Sequence, residues 1–114
     1  MIKNICKINF RSLDCGDLNF TEMPIAHADN TLEISDEDTS AGKLYNHTLR
    51  AVLQKAAFFR SDGLQFDVYL SDGTHILIGD NDFPVFMLIS ENLDSGEFSV
   101  EWKSIYPPKF LTVV

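Results

Sequence analysis

Apolar and polar side chains alternate with a period of two along much of the chain, and that period predicts strands. The clearest case is residues 64–80, LQFDVYLSDGTHILIGD, where Leu64, Phe66, Val68 and Leu70 share one face and Gln65, Asp67 and Tyr69 the other. Ser71-Asp72-Gly73 then forms a three-residue hairpin loop that wants Gly73 in the left-handed conformation. Near the amino terminus Cys6, Ile8 and Phe10 fall on one face and Lys3, Lys7 and Asn9 on the other, which predicts an amino-terminal strand. Leu32 and Ile34 alternate with Thr31, Glu33 and Ser35, and the polar stretch Asp36 to Gly42 predicts a turn into the next run.

Residues 43–55 fit both periods. Tyr45, Leu49, Val52, Leu53 and Ala56 would line a helix, and Tyr45, His47, Leu49, Ala51 and Leu53 would line a strand. The clean polar face of Asn46, Thr48, Arg50 and Gln54, with residues 31–35 as a hairpin partner, favours the strand, while Ala51, Ala56 and Ala57 keep a helix open. Val85, Met87 and Ile89 with Phe86 and Leu88 on the reverse side predict a strand apolar on both faces, covered by a second layer or another subunit. Phe98, Val100 and Trp102 alternate with Ser99, Glu101 and Lys103 as a last strand. The expected fold is therefore mainly β, a single domain over residues 1–114 in which an antiparallel β meander forms a sandwich or small barrel with at most one short helix. Its expected core holds Phe66, Val68, Ile76, Ile78, Met87, Val100 and Trp102.

The end of the chain departs from this pattern. Tyr106-Pro107-Pro108 must leave regular pairing, yet Phe110, Leu111, Val113 and Val114 follow as an apolar, β-prone segment. Residues 107–114 either dock on a neighbour or pack as a last strand on their own sheet. Phe110, Leu111, Val113, Val114, Phe86 and Leu88 are the candidate interface residues.

Composition narrows the function classes. The chain has 114 residues, 45% hydrophobic and 23% charged, enough for one core without metal or disulfide staples. A net charge of -8 disfavours nucleic acid and anionic membranes as partners. The segment from Ala41 to Arg60 carries Lys43, Arg50, Lys55 and Arg60 without a carboxylate, and reads first as a solvated face and second as a docking stripe. No apolar run approaches the roughly 20 residues that cross a bilayer. Lys3 and Lys7 interrupt any export signal, so the chain is not expected to be secreted and Cys6 and Cys15 are expected as free thiols.

Reactive constellations are not signalled. Asp36, Asp38 and Ser40 alternate like calcium ligands, but Ala41 stands where an EF-hand loop needs glycine and His47 where it needs a bidentate carboxylate. Asp80 and Asp82 read as loop carboxylates, and His27, His47 and His75 are too scattered for a zinc motif. Neither a nucleophile elbow nor a phosphate-cradling glycine loop is present. No metal, cofactor or catalytic residue is expected, and Trp102, Phe98, Tyr69 and Phe86 read as core and cross-strand pairs before they read as a ligand platform.

Asp72-Gly73, Ile78-Gly79 and Pro84, preceded by the segment from Ile34 to Tyr45, give a strand-Asp-Gly-x4-Ile-Gly-loop-Pro-strand order. Over roughly residues 31–103 this order resembles small structural proteins encoded in phage and prophage regions of Bacteroides-like bacteria. The resemblance implies a non-enzymatic virion component of the tail or head-to-tail joint, found in the bacterial cytoplasm or the particle. It would bind itself or other virion proteins and need no small-molecule ligand. The alternative class is a small β binding module for a peptide or small ligand, with His75, Tyr69 and Asp67 as polar contacts.

Overall fold

The structure is a computed structural model that describes residues 1–14, 19–23, 25, 30–52, 63–80, 84–85, 88–89 and 97–112. Its strands are β1 (Ile2–Ser12), β2 (Thr21–Glu22), β3 (Thr31–Thr39), β4 (Gly42–Val52), β5 (Leu64–Leu70), β6 (Thr74–Ile78), β7 (Leu88–Ile89), β8 (Glu97–Ser104) and β9 (Leu111–Thr112). All pairs are antiparallel in the order β7-β8-β4-β3-β1-β5-β6-β9, with β2 on β1, and the sheet curls into a half-barrel. The described residues contain no helix. The mainly β expectation holds, and within the ambiguous segment the strand outcome holds through Val52; Leu53, Lys55, Ala56 and Ala57 lie outside the described residues.

Curling depends on β1, which belongs to both halves of the sheet. Ile2, Lys3 and Asn4 pair with Glu33, Leu32 and Thr31 of β3, and from Ile5 onward the strand pairs with β5. The changeover is a bulge: Ile5 faces Leu70, Lys7 faces Tyr69, and Cys6 has no cross-strand partner. One extra residue reverses the phase of the strand, so Ile5 and Ile8 both point inward although three positions separate them. Cys6 is therefore exposed, against the strict alternation that placed it beside Ile8 and Phe10. It donates its thiol to the Tyr69 carbonyl at 3.4 Å.

The curled sheet closes on Ile8, Leu32, Leu49, Leu64, Phe66, Val68, Ile78, Val85 and Val100, all essentially buried. At about 25 cal/mol per Å² of apolar area, each contributes roughly 1.5–3 kcal/mol. Of the expected core, Phe66, Val68, Ile76, Ile78 and Val100 are present, Trp102 packs against it partly buried, and Met87 lies outside the described residues.

Two further expectations change. The turn foreseen over residues 36–42 is shorter: β3 runs to Thr39, and Ser40-Ala41 alone reverse the chain into Gly42 at φ 122°. Strand pairing through the acidic run is supported by lysines across the sheet, Lys43 to Asp36 and Lys103 to Glu37, each at 3.3 Å. The single strand expected over 85–89 is divided. Val85 makes a two-way bridge with Leu64, at 2.8 and 2.9 Å, while Leu88–Ile89 pairs with β8 in the other half of the sheet. In β5, flanked by β1 and β6, Gln65 and Asp67 are buried as well, at 7% and 8% exposure.

The β5–β6 hairpin matches expectation. Gly73 has φ 87° and donates to the Leu70 carbonyl at 3.3 Å. Gly79 ends β6 at φ 93°, where a Cβ would stand 2.8 Å from the Leu64 carbonyl oxygen, so side chains are excluded on two counts.

Candidate functional site: a cleft beside the open edge of β6

β9 covers little of the β6 edge: Thr74 pairs with Thr112 and His75 with Leu111, and there the ladder stops. Continued, the register would set Lys109 opposite Leu77 and Pro107 opposite Gly79. Proline offers no N–H to such a ladder, so the tail stands off. A cleft of about 260 Å³ opens between residues 76–79 and the tail. Alternate residues of β6 turn their main-chain N–H and C=O away from β5, toward that side.

The opposite wall comes from β4 and β8. His47 and Trp102 face each other in register, their ring centroids 4.9 Å apart at 51°. His47 shares the inward face with Leu49 and Ala51 and is only 2% exposed, and among the described residues neither ring nitrogen has a hydrogen bond of full geometry. Burial pushes the His47 pKa below the usual histidine range, outweighing an opposite pull from the Trp102 and Tyr45 backbone. The ring is therefore uncharged at neutral pH, with the Trp102 and Tyr45 main chain as its polar neighbours. At the rim Tyr106 donates its N–H to Ser104 Oγ at 3.0 Å, fixing the point where the tail leaves β8. On the floor Gln65 Nε2 donates to the Gly79 carbonyl at 2.9 Å, and Gln65 Oε1 accepts from Arg11 Nε at 2.7 Å.

A second polar group lies on the outer face of β5 and β6. His75 Nδ1 is 2.8 Å from Asp67 Oδ1, and the His75 ring stacks on Tyr69 at 5.0 Å and 11°. Lys7 Nζ sits 5.4 Å above the Tyr69 ring, and the Asp67 charge holds the Tyr69 phenol above its ordinary pKa. The three residues of the binding-module reading thus meet on one face. Among the described residues no group of three or more His, Cys, Asp and Glu could hold a metal ion. The calcium candidates Asp36 and Asp38 sit on an extended strand, which spaces same-face residues about 6.5 Å apart and does not wrap a cation.

Of the candidate interface residues, Phe110 and Leu111 are half-buried on their own sheet, Phe110 with Lys3 Nζ 4.3 Å from its ring centroid. In this chain the tail takes the last-strand placement. Leu88 lies in the edge strand β7, and Phe86, Val113 and Val114 lie outside the described residues. His47 was readable as an inward residue of a strand, but the pattern carried no sign that it would stand in register with Trp102 and form one wall of a cleft bordered by β6 and the tail.

No family model, curated protein or solved structure matches this chain.

Proposed function

We propose that this protein is a non-catalytic assembly module that joins a neighbouring protein by accepting an extended segment along the free edge of β6. The observation that carries the reading is the incomplete β6–β9 ladder beside a cleft, because unpaired strand edges are what extended segments dock on. The resemblance over residues 31–103 to small phage and prophage structural proteins would make the neighbour another virion protein or a second copy of this chain. The net charge of -8 speaks against nucleic acid as the partner.

Closing the edge from within tests this. The double variant Pro107→Val with Pro108→Thr restores two main-chain donors and should let the tail pair along β6. A blocked peptide of alternating valine and threonine is titrated against both proteins, read by the fluorescence of Trp102, the sole tryptophan. The wild-type chain is expected to bind the peptide and the double variant to lose binding while melting at a higher temperature. Equal binding by both proteins would sink the edge-docking reading.

A further inference from the structure

We infer that β9 is an exchangeable strand: at high concentration Leu111–Thr112 of one chain takes the β6 seat of a second copy, and the two chains form a reciprocal, strand-swapped dimer. The inference goes beyond edge docking, because it concerns the seat at Thr74 and His75 and not the remainder of β6.

The position of β9 permits exchange and its hinge favours it. Among the described residues β9 pairs with β6 alone, at one end of the strand order, so it can leave without disturbing another pair. The chain reaches the seat through a bend at Ile105 and Tyr106, closed by the Tyr106 N–H donating to Ser104 Oγ at 3.0 Å. The residues after the bend prefer the opposite shape. Pro107 biases Tyr106 toward extended backbone, Pro108 does the same to Pro107, and the proline pair is stiff. Opened, residues 105–110 span up to about 20 Å at roughly 3.3 Å per residue, enough to carry β9 to a neighbouring copy.

The seat itself argues for the occupant. Thr112 faces Thr74, Leu111 faces His75, and Phe110 lies against Lys3 Nζ, 4.3 Å from its ring centroid. A second copy re-forms each of these contacts, whereas a foreign segment would have to displace them. They therefore cancel between the closed chain and the dimer, and smaller differences decide. The tether favours the closed chain by holding β9 near its own seat at an effective concentration on the order of millimolar. Against it stand the released bend and three exposed apolar side chains, Leu77 beside the seat and Ile105 and Tyr106 in the hinge. In a swapped pair the two hinges run past each other at the twofold axis, where these side chains are covered. The closed chain accordingly prevails when dilute, and the dimer takes over at or below about millimolar concentration.

Cysteines at facing positions read the exchange. Thr74→Cys with Thr112→Cys, in a chain also carrying Cys6→Ser and Cys15→Ser, is prepared with and without nitrogen-15, mixed in equal parts, equilibrated over a concentration series and oxidised. Closed chains give internally bridged monomers. Exchanged chains give dimers with two bridges from position 74 to position 112, many joining a labelled to an unlabelled half, as read by mass spectrometry. Such dimers are expected as a minor fraction near about 10 μM and as about half or more of the protein near 1 mM. Internal bridges alone at every concentration overturn the inference, as does a dimer by sedimentation whose bridges remain internal, since that dimer forms through another surface. Should the double-cysteine chain not fold, the single variants Thr74→Cys and Thr112→Cys, each in the serine background, are mixed and oxidised. Bridges from 74 to 112 well above their share in a random mixture support exchange, and a random mixture of bridges overturns it. Neither readout involves peptide binding, so edge docking stands or falls separately.

Discussion

Two seams of the same sheet are built to opposite standards. Between β4 and β8 the register runs unbroken from Tyr45 opposite Ser104 to Val52 opposite Glu97, with Leu49 and Val100 paired and fully buried beneath it. Between β6 and β9 it spans Thr74 and His75 alone. Both seams are long-range, so distance along the chain does not separate them. What separates them is donors and burial: β8 has an N–H at every position and core residues on its inner face, whereas the segment approaching β6 carries Pro107 and Pro108 and only half-buried side chains. The sheet is strong where it encloses the core and weak where it borders the cleft, and an edge can accept a partner only where its own ladder is incomplete.

The largest effect should come from attacking the strong seam. Leu49→Ala removes a fully buried side chain facing Val100 and is expected to cost about 2–5 kcal/mol, measured by urea unfolding, with most of the domain's stability at risk. A cost under about 1 kcal/mol would mean that this seam does not hold the core and that the two seams are less different than their registers suggest.

Truncation after Tyr106 attacks the weak seam. It removes β9 and the half-buried Phe110 and Leu111, and should cost roughly 1.5–3 kcal/mol, about half of full burial for each side chain. The product should remain folded, with the β6 edge fully exposed and self-association by light scattering increased. An unchanged melting temperature and an unchanged oligomer size would show that the tail contributes nothing to the sheet.

This contrast also explains what was legible in advance. Alternation in residues 31–35 and 74–78 transmits directly, because Leu32, Ile34, Ile76 and Ile78 are buried between more exposed neighbours and the turn residues agree with the pairing, whereas β5 is buried on both faces. Cys6 was misplaced because a bulge is a cross-strand event: nothing in the local run of Ile5, Cys6 and Lys7 announces that β5 will skip one of them. Asp36 to Asp38 read as a turn because their stabilising partners, Lys43 and Lys103, arrive from other strands. Pro107-Pro108 announced a break in pairing, but the cleft it creates requires β6, β8 and His47 to converge, and only tertiary structure shows that.

The smallest expected effect concerns the pin that holds the weak seam. Lys3 reaches two groups: its Nζ is 2.6 Å from Asp72 Oδ2 in the β5–β6 turn and 4.3 Å from the Phe110 ring centroid. Asp72 also accepts from Thr74 N at 3.0 Å and Thr74 Oγ1 at 2.5 Å. Lys3 first and Thr74 second lower its pKa from 3.8 to about 2. A carboxylate with a depressed folded-state pKa contributes stability that is fully present above the unfolded value of 3.8 and is lost as pH falls through about 2. Asp72 loses its charge in that window whereas the Phe110 ring has none to lose, so Lys3→Met should have two separable consequences. At about pH 6 the variant should melt slightly below the wild type, by a small margin because the ion pair is solvated. By about pH 2, with Asp72 half protonated in the wild type, the carboxylate part of the difference should shrink and the Phe110 part remain. A difference in melting temperature that stays constant from pH 6 to pH 2 would assign the whole effect to Phe110 and leave Asp72 without a part in securing the tail.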